Sequence, residues 1–216
     1  MDDIDLTSSS VFLDFDGTIS LADTVVHLLN RLVGDAWHEI EDLFDNGEIG
    51  SRECLLREWA LLPTDDGDRL RSVADEVPLD AHFEFLVEAL LDEGAEVSIV
   101  SDGFGFGALD AGASVGIPVV TAAVDWSTGT LSFPNEDPSC PCAQCGTCKP
   151  AALRRAAARG RRTIFIGDGA SDRLVAPEAD LLFATDDLAR WCEENSVPYQ
   201  PFLSLGEVAA RLGLLR

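Results

Sequence analysis

Residues 11–18, Val-Phe-Leu-Asp-Phe-Asp-Gly-Thr, run an apolar strand into two carboxylates, Asp14 and Asp16, two positions apart. Side chains on a strand alternate faces, so both acids can serve one pocket only if the strand ends between them. Gly17 supplies that break, because glycine tolerates backbone angles that other residues avoid. Thr18 adds a hydroxyl and a backbone N–H at the start of the next segment. Two acids, a tight turn and free amides suit a divalent cation and a phosphate. A buried strand running out into an acidic surface turn has the same local sequence, so the rest of the chain must decide.

Between residues 19 and 77 the text is helical. Val25, Val26, Leu28, Leu29 and Leu32 follow a helical period behind a cap at Ser20 or Asp23. Stretches 36–44, 52–62 and 66–76 continue it, separated by Asn46-Gly47, Gly50 and Pro63-Thr64. From residue 78 strands and helices alternate. Helix 80–92 precedes strand 96–100, helix 104–115 precedes strand 118–126, and 127–129 turns back into 130–133 as a hairpin. Pro150 opens a helix running to 159. Then come strand 163–166, a helix near 171–176, strand 181–184, and helices 188–195 and 205–212. This alternation predicts an α/β fold: a doubly wound, mostly parallel sheet with helices on both faces, and a small helical insertion after the first strand.

Charge narrows the function classes. The 216 residues hold 39 acids against 15 bases, a net charge of −24. Nucleic acid is excluded as a partner, since binding it needs a basic footprint. The acids lie along periodic segments and form no tail, which argues against disorder. The bases are 14 arginines and one lysine, Lys149. That balance resembles proteins from salt-rich cytoplasm, where molar salt shortens screening to about 3 Å. No apolar run reaches membrane-span length, so no membrane partner is expected. The acidic start, Met1-Asp-Asp-Ile-Asp, lacks the basic and apolar regions of a signal peptide, and a cytoplasmic location is expected. Nothing in the sequence fixes an oligomeric state.

Three predicted strands end in polar, glycine-containing turns. They are Asp14-Phe-Asp-Gly-Thr18, Ser101-Asp-Gly103 and Gly167-Asp-Gly-Ala-Ser-Asp172. Ligands of an open parallel sheet bind beyond its carboxyl edge, so these turns converge on one crevice, with Lys149 opening a helix at the same edge. Gly103, Gly105, Gly107 and Gly112, with Asp125 further on, superficially resemble a dinucleotide-binding fingerprint. Ala108 stands where its third glycine would fall, and the spacing does not fit.

The ordered set resembles the four motifs of the haloacid dehalogenase-like phosphatases, over almost the whole chain. The resemblance implies a Mg²⁺-dependent hydrolysis of a small phosphorylated metabolite. Asp14 would be the nucleophile that forms an aspartyl-phosphate, and Asp16 the general acid and base. Ser101, the Gly103 amide, Thr18 and Lys149 would hold the phosphate. Asp14, Asp16 (through its carbonyl), Asp168 and Asp172 would serve the metal. The insertion resembles the cap of the phosphoserine-phosphatase-like branch, giving a core of 1–18 and 78–216 and a cap of 19–77. Within that branch, residues 14–24, 100–106, 145–150, 179–184 and 195–202 look closest to the methionine-salvage phosphatases. A sugar-like phosphate is the implied substrate and phosphoserine the alternative. A protein that accepts phosphate, or binds a metabolite, without turnover is the reading from another class; Asp16 argues against it, because an acid is needed only if an alcohol must leave.

Other residues carry weaker expectations. Cys140, Cys142, Cys145 and Cys148 crowd the loop 139–149 and resemble a zinc knuckle. Reduced thiols or a labile disulfide fit the same spacing. Asp23 and His27, one helical turn apart, are expected to face the pocket, with Phe104 and Phe106 as substrate contacts from the core.

Overall fold

The computed structural model describes residues 4–135, 137 and 144–215. The first strand, β1 (Ser9–Leu13), is buried along its length. Four helices follow: α1 (Thr24–Leu32), α2 (His38–Asp45), α3 (Ser51–Trp59) and α4 (Gly67–Ala74). The chain continues through α5 (Phe83–Asp92), β2 (Glu96–Val100), α6 (Ala108–Val115) and β3 (Val119–Val120). A hairpin, β4 (Ala123–Asp125) and β5 (Thr130–Ser132), leads on towards α7 (Lys149–Ala157) and β6 (Arg162–Gly167). The last elements are β7 (Leu181–Ala184), α8 (Asp186–Asn195), β8 (Gln200–Pro201) and α9 (Leu205–Arg211).

Six strands form one sheet in the order β3-β2-β1-β6-β7-β8, with every pairing parallel. Alternation along the strands builds a core on each face. Val11, Leu13, Ile164 and Ile166 pack under α5, α6 and α9. Phe12 and Phe165 pack on the other face against Leu153 of α7 and Leu188 of α8. Strands covered on both sides read as continuous apolar runs, which is why 11–13 and 164–166 contain no polar residue. This is the doubly wound architecture expected from the sequence.

Three elements differ from the sequence reading. The predicted strand 118–126 is two short ones: β3 pairs with β2 at the sheet edge, and β4 leaves to pair with β5. The hairpin leaves because its apolar side is used elsewhere. Leu131 and Phe133 join Leu28, Leu29, Leu55, Trp59 and Leu70 in a second core among α1, α3 and α4. Trp59 Nε1 ties the two parts by donating to Gly129 O at 2.8 Å. The helix predicted near 171–176 is instead a pair of 3₁₀ turns, Ala170–Asp172 and Ala176–Glu178. Pro177, which has no N–H to donate, prevents a regular helix there. The two-residue β8 had no strand signal of its own.

Gly112 of α6 passes so close to β3 that a Cβ on it would lie 2.2 Å from Val119 Cγ2. In an open helix Gly→Ala gains about 1 kcal/mol, whereas overpacking costs roughly 1–3 kcal/mol. Valine is stiff at χ1 and yields poorly. Gly112→Ala is therefore expected to lower the urea midpoint; a raised midpoint would mean that the edge strand moves aside freely.

Candidate active site

Register brings the strand ends together. Leu13 lies opposite Ile99 of β2 and Ile166 of β6, so three strands run out at one carboxyl edge. Between β1 and β6 the chain connections change direction, the place where open parallel sheets form their crevices. Gly17 takes φ +75°, and a Cβ there would lie 2.1 Å from Asp168 Oδ2. Glycine is thus required for the first and last motifs to meet. Thr18 Oγ1 closes that meeting by donating to Asp168 Oδ1 at 2.7 Å.

Lys149, 2 % exposed, lies between two acids. Its Nζ is 2.7 Å from Asp14 Oδ2, 2.6 Å from Asp172 Oδ1 and 2.8 Å from Ser171 Oγ. An ammonium has three donors, and this geometry occupies them all. Burial alone would lower its pKa, but Asp14 and Asp172 together outweigh burial and raise it, so the charge is held. Asp172 also accepts from the Asp168 and Gly169 amides at 3.0 and 3.3 Å, which folds the last motif around the lysine. Burial, then the charge of Asp172, pushes the Asp14 carboxyl well above its ordinary range. Burial and Asp172 likewise raise Asp168, to about 7.

These carboxylates suit a hard cation. Among the described residues, Asp14, Asp168 and Asp172 each offer an oxygen within 4.8 Å of the others. Three carboxylates against one buried ammonium leave two negative charges, the deficit that a divalent cation makes good. Oxygen donors suit Mg²⁺.

Asp16 stands beside this cluster. Burial, then Asp23, raises its pKa to about 7. Thr24 N donates to Asp16 Oδ1 at 2.8 Å, and the Thr24 hydroxyl makes a short bond to the same oxygen. The other oxygen faces Ser101 Oγ at 3.5 Å. Ser101 Oγ in turn accepts from Gly103 N at 3.2 Å. Asp14, Asp16, Ser101, Gly103, Lys149, Asp168 and Asp172 are therefore gathered at one edge of the sheet.

Other candidates fall elsewhere. Asp23 caps α1 by accepting from Val26 N at 2.9 Å and lines the cavity. His27 turns away from it: Nε2 meets Glu76 at 3.0 Å, so the helical spacing from Asp23 misplaced it. Phe104 and Phe106 are buried in an aromatic cluster with Trp59, where ring packing prevails over the pocket. Cys148 packs with Ala151 and Cys145. Cys140 and Cys142 lie outside the described residues, and with them half of the zinc-knuckle expectation.

Two residues were not singled out from the sequence. Asp102 accepts from Ser51 Oγ of α3 and, at 2.8 Å, from Thr147 N, joining the second motif, the helical insertion and the approach to Lys149. Its place inside the Ser101-Asp102-Gly103 turn was a usable signal. Glu58 of α3 is 5 % exposed and lines the same cavity as Asp14, Asp16 and Asp23. Burial raises its pKa to about 8, opposed by a hydrogen bond from Cys54 and reinforced by Asp23 and Glu41.

A carboxylate centre at the switch point of a parallel sheet, completed by a buried lysine, defines a class of phosphate-handling α/β proteins. Residues 11–176 match the family model described as haloacid dehalogenase-like hydrolase. The chain belongs to that family. It is 28% identical over 209 residues to the 2-hydroxy-3-keto-5-methylthiopentenyl-1-phosphate phosphatase of an Exiguobacterium species, covering 94% of this chain and 96% of that one. The same-named protein of Geobacillus kaustophilus is 28% identical, with 92% of each chain covered. Among solved structures, phosphoserine phosphatase from T. onnurineus superposes with a TM-score of 0.72 at 18% identity, over 99% of this chain and 98% of that one. No helix among the described residues is long and apolar enough to cross a membrane.

Glu58 gives a pH signature. A carboxyl whose pKa rises on folding stabilises the fold fully below its ordinary value of 4.5, and that contribution is lost as pH climbs through about 8. Glu58→Gln keeps the shape without titrating. Wild-type minus variant stability is expected to fall across that window by an amount on the order of a few kcal/mol, measured by urea denaturation. A flat difference would mean an acid that ionises as it does in water.

Proposed function

We propose that the chain hydrolyses small-molecule phosphate monoesters with Mg²⁺, through an aspartyl-phosphate on Asp14. The observation that carries this reading is Lys149 Nζ, buried and charged, 2.7 Å from Asp14 Oδ2. Such a contact holds an anionic nucleophile ready for an anionic substrate.

The chain is a phosphoric monoester hydrolase; the roles below are our assignment. The Asp14 carboxylate attacks phosphorus, forming an O–P bond as the bond to the alcohol oxygen breaks. Asp16 gives its proton to that departing oxygen and later takes one from the water that opens the acyl phosphate. Thr24 keeps Asp16 in place by occupying one of its oxygens. Ser101 Oγ and the Gly103 N–H receive phosphate oxygens, while Lys149 offsets charge. Thr18, held by Asp168, positions that acid and is left out of the phosphate set. Mg²⁺ would be held by the Asp14 and Asp168 carboxylates and the Asp16 carbonyl, with Asp172 behind them. When bound it supplies Lewis-acid polarisation of the phosphoryl group.

Residues 19–77 serve as a cap over a core of 1–18 and 78–216. The cavity supports this division, since Glu41, Leu55 and Glu58 wall it from the helices and Asp14, Asp102 and Asp168 from the sheet edge. A sugar-like phosphate of the methionine-salvage type is the preferred substrate, because the relatives named for it match along almost the whole chain. Phosphoserine rests on likeness of fold alone.

Release of p-nitrophenol from p-nitrophenyl phosphate, assayed from low to molar salt, tests the reaction. A chelator is expected to abolish it and Mg²⁺ to restore it, and Asp14→Asn to lower kcat by roughly a thousandfold or more. Wild-type protein without Mg²⁺-dependent release across a panel of phosphate esters would leave only a phosphate-accepting or metabolite-binding role.

A further inference from the structure

The cavity beside Asp14 has a volume of about 320 Å³. Val25, Val26 and Leu55 give it apolar walls, and Asp23, Glu41 and Glu58, none of them part of the Asp14–Asp168–Asp172 cluster, line it with carboxylates. None of its described lining residues is Lys, Arg or His. A chain with a net charge of −24 shows acids on any solvated surface, but Glu58 is not solvated: it is 5 % exposed. Its carboxyl meets the Cys54 thiol, a weak donor. A buried acceptor facing a ligand cavity with so poor a partner is costly unless the ligand brings donors of its own.

A second metal ion does not answer that need. Among the described residues, carboxylate oxygens come together within 4.8 Å only at Asp14, Asp168 and Asp172. Asp23, Glu41 and Glu58 are too dispersed for an ionic cage and suit a larger organic group. Burial raises each of the three, and the charges of Asp23 and Glu41 raise Glu58 further.

We propose that Glu58, with Asp23 and Glu41, selects the leaving alcohol: it accepts alcohols that present N–H or O–H donors and turns away those that carry a carboxylate. The inference rests on the phosphatase reading and deepens it. Above the Glu58 pKa of about 8 attraction and repulsion both contribute, since a substrate carboxylate beside buried, ionised Glu58, half-buried Glu41 and exposed Asp23 meets like charge with no base among the described lining residues to pair with. Amino alcohols and polyols share the required donor chemistry.

The test compares kcat/KM, with Mg²⁺ and at about pH 9, where Glu58 is ionised, for ethanolamine phosphate, glycerol phosphate, phosphoserine and 3-phosphoglycerate. The first two are expected to exceed the last two by about tenfold or more. Ethanolamine phosphate in the lead identifies an amine as the donor, glycerol phosphate a hydroxyl. In Glu58→Gln the ratio of 3-phosphoglycerate to glycerol phosphate is expected to rise about tenfold, because the repelling charge is gone and the shape is kept. Carboxylated esters that match the others in wild-type protein would overturn the proposal. So would a Glu58→Gln variant that slows every ester by one common factor. If neither p-nitrophenyl phosphate nor any of the four esters is hydrolysed, the phosphatase reading fails by itself. The same ranking, and its levelling in Glu58→Gln, is then read from the rise in melting temperature that each ester produces in the two proteins.

Discussion

The site depends on one buried contact, the ammonium of Lys149 held between Asp14 and Asp172. Burying charges is expensive, and removing one partner of a buried pair strands the other. Lys149 is also the first residue of α7, where the helix dipole disfavours a cation. Two carboxylates and the Ser171 hydroxyl offset both costs. The contact requires β1 beside β6, so that Asp14 and the last motif share an edge. It also requires the turn after β6 to fold Asp172 back under its own amides. Sheet order, turn geometry and the start of α7 thus meet in one place.

The remaining acids are distinguished by their hydrogen-bond partners. Asp172 is saturated by two amides and the lysine, which makes it a bracket. Asp16 has one oxygen fixed by Thr24 and the other turned toward Ser101. Asp14 and Asp168 keep a net negative charge that burial makes costly, the condition under which a divalent ion is bound. Two carboxylates that looked alike in the sequence, Asp14 and Asp16, therefore stand in different surroundings, one against Lys149 and the other against Thr24 and Ser101.

Much of this was legible in the sequence. Apolar runs ending in acid and glycine located three strand ends, and a parallel sheet has only one edge where such ends can meet. What failed depended on contacts distant in sequence. His27 was placed by its spacing from Asp23, but Glu76 of the segment after α4 lies on its other side. Phe104 and Phe106 were read as pocket residues, yet Trp59 and the hairpin gave them a core. Glu58 escaped notice because Ser-Arg-Glu-Cys-Leu-Leu-Arg-Glu-Trp carries charges around α3, and nothing local marks which one is buried. The split of 118–126 into β3 and β4 was hidden for a similar reason: both pieces have strand character, and only packing separates them.

The single lysine has a practical corollary. Every other side-chain cation in the chain is an arginine, so amine-directed reagents find one side-chain target, and it is buried with all three hydrogens engaged. Acylation of that amine cannot proceed while its contacts to Asp14, Asp172 and Ser171 are intact. Its rate is therefore a clock for how often those contacts open, readable by mass as a second label beside the one that the α-amine takes.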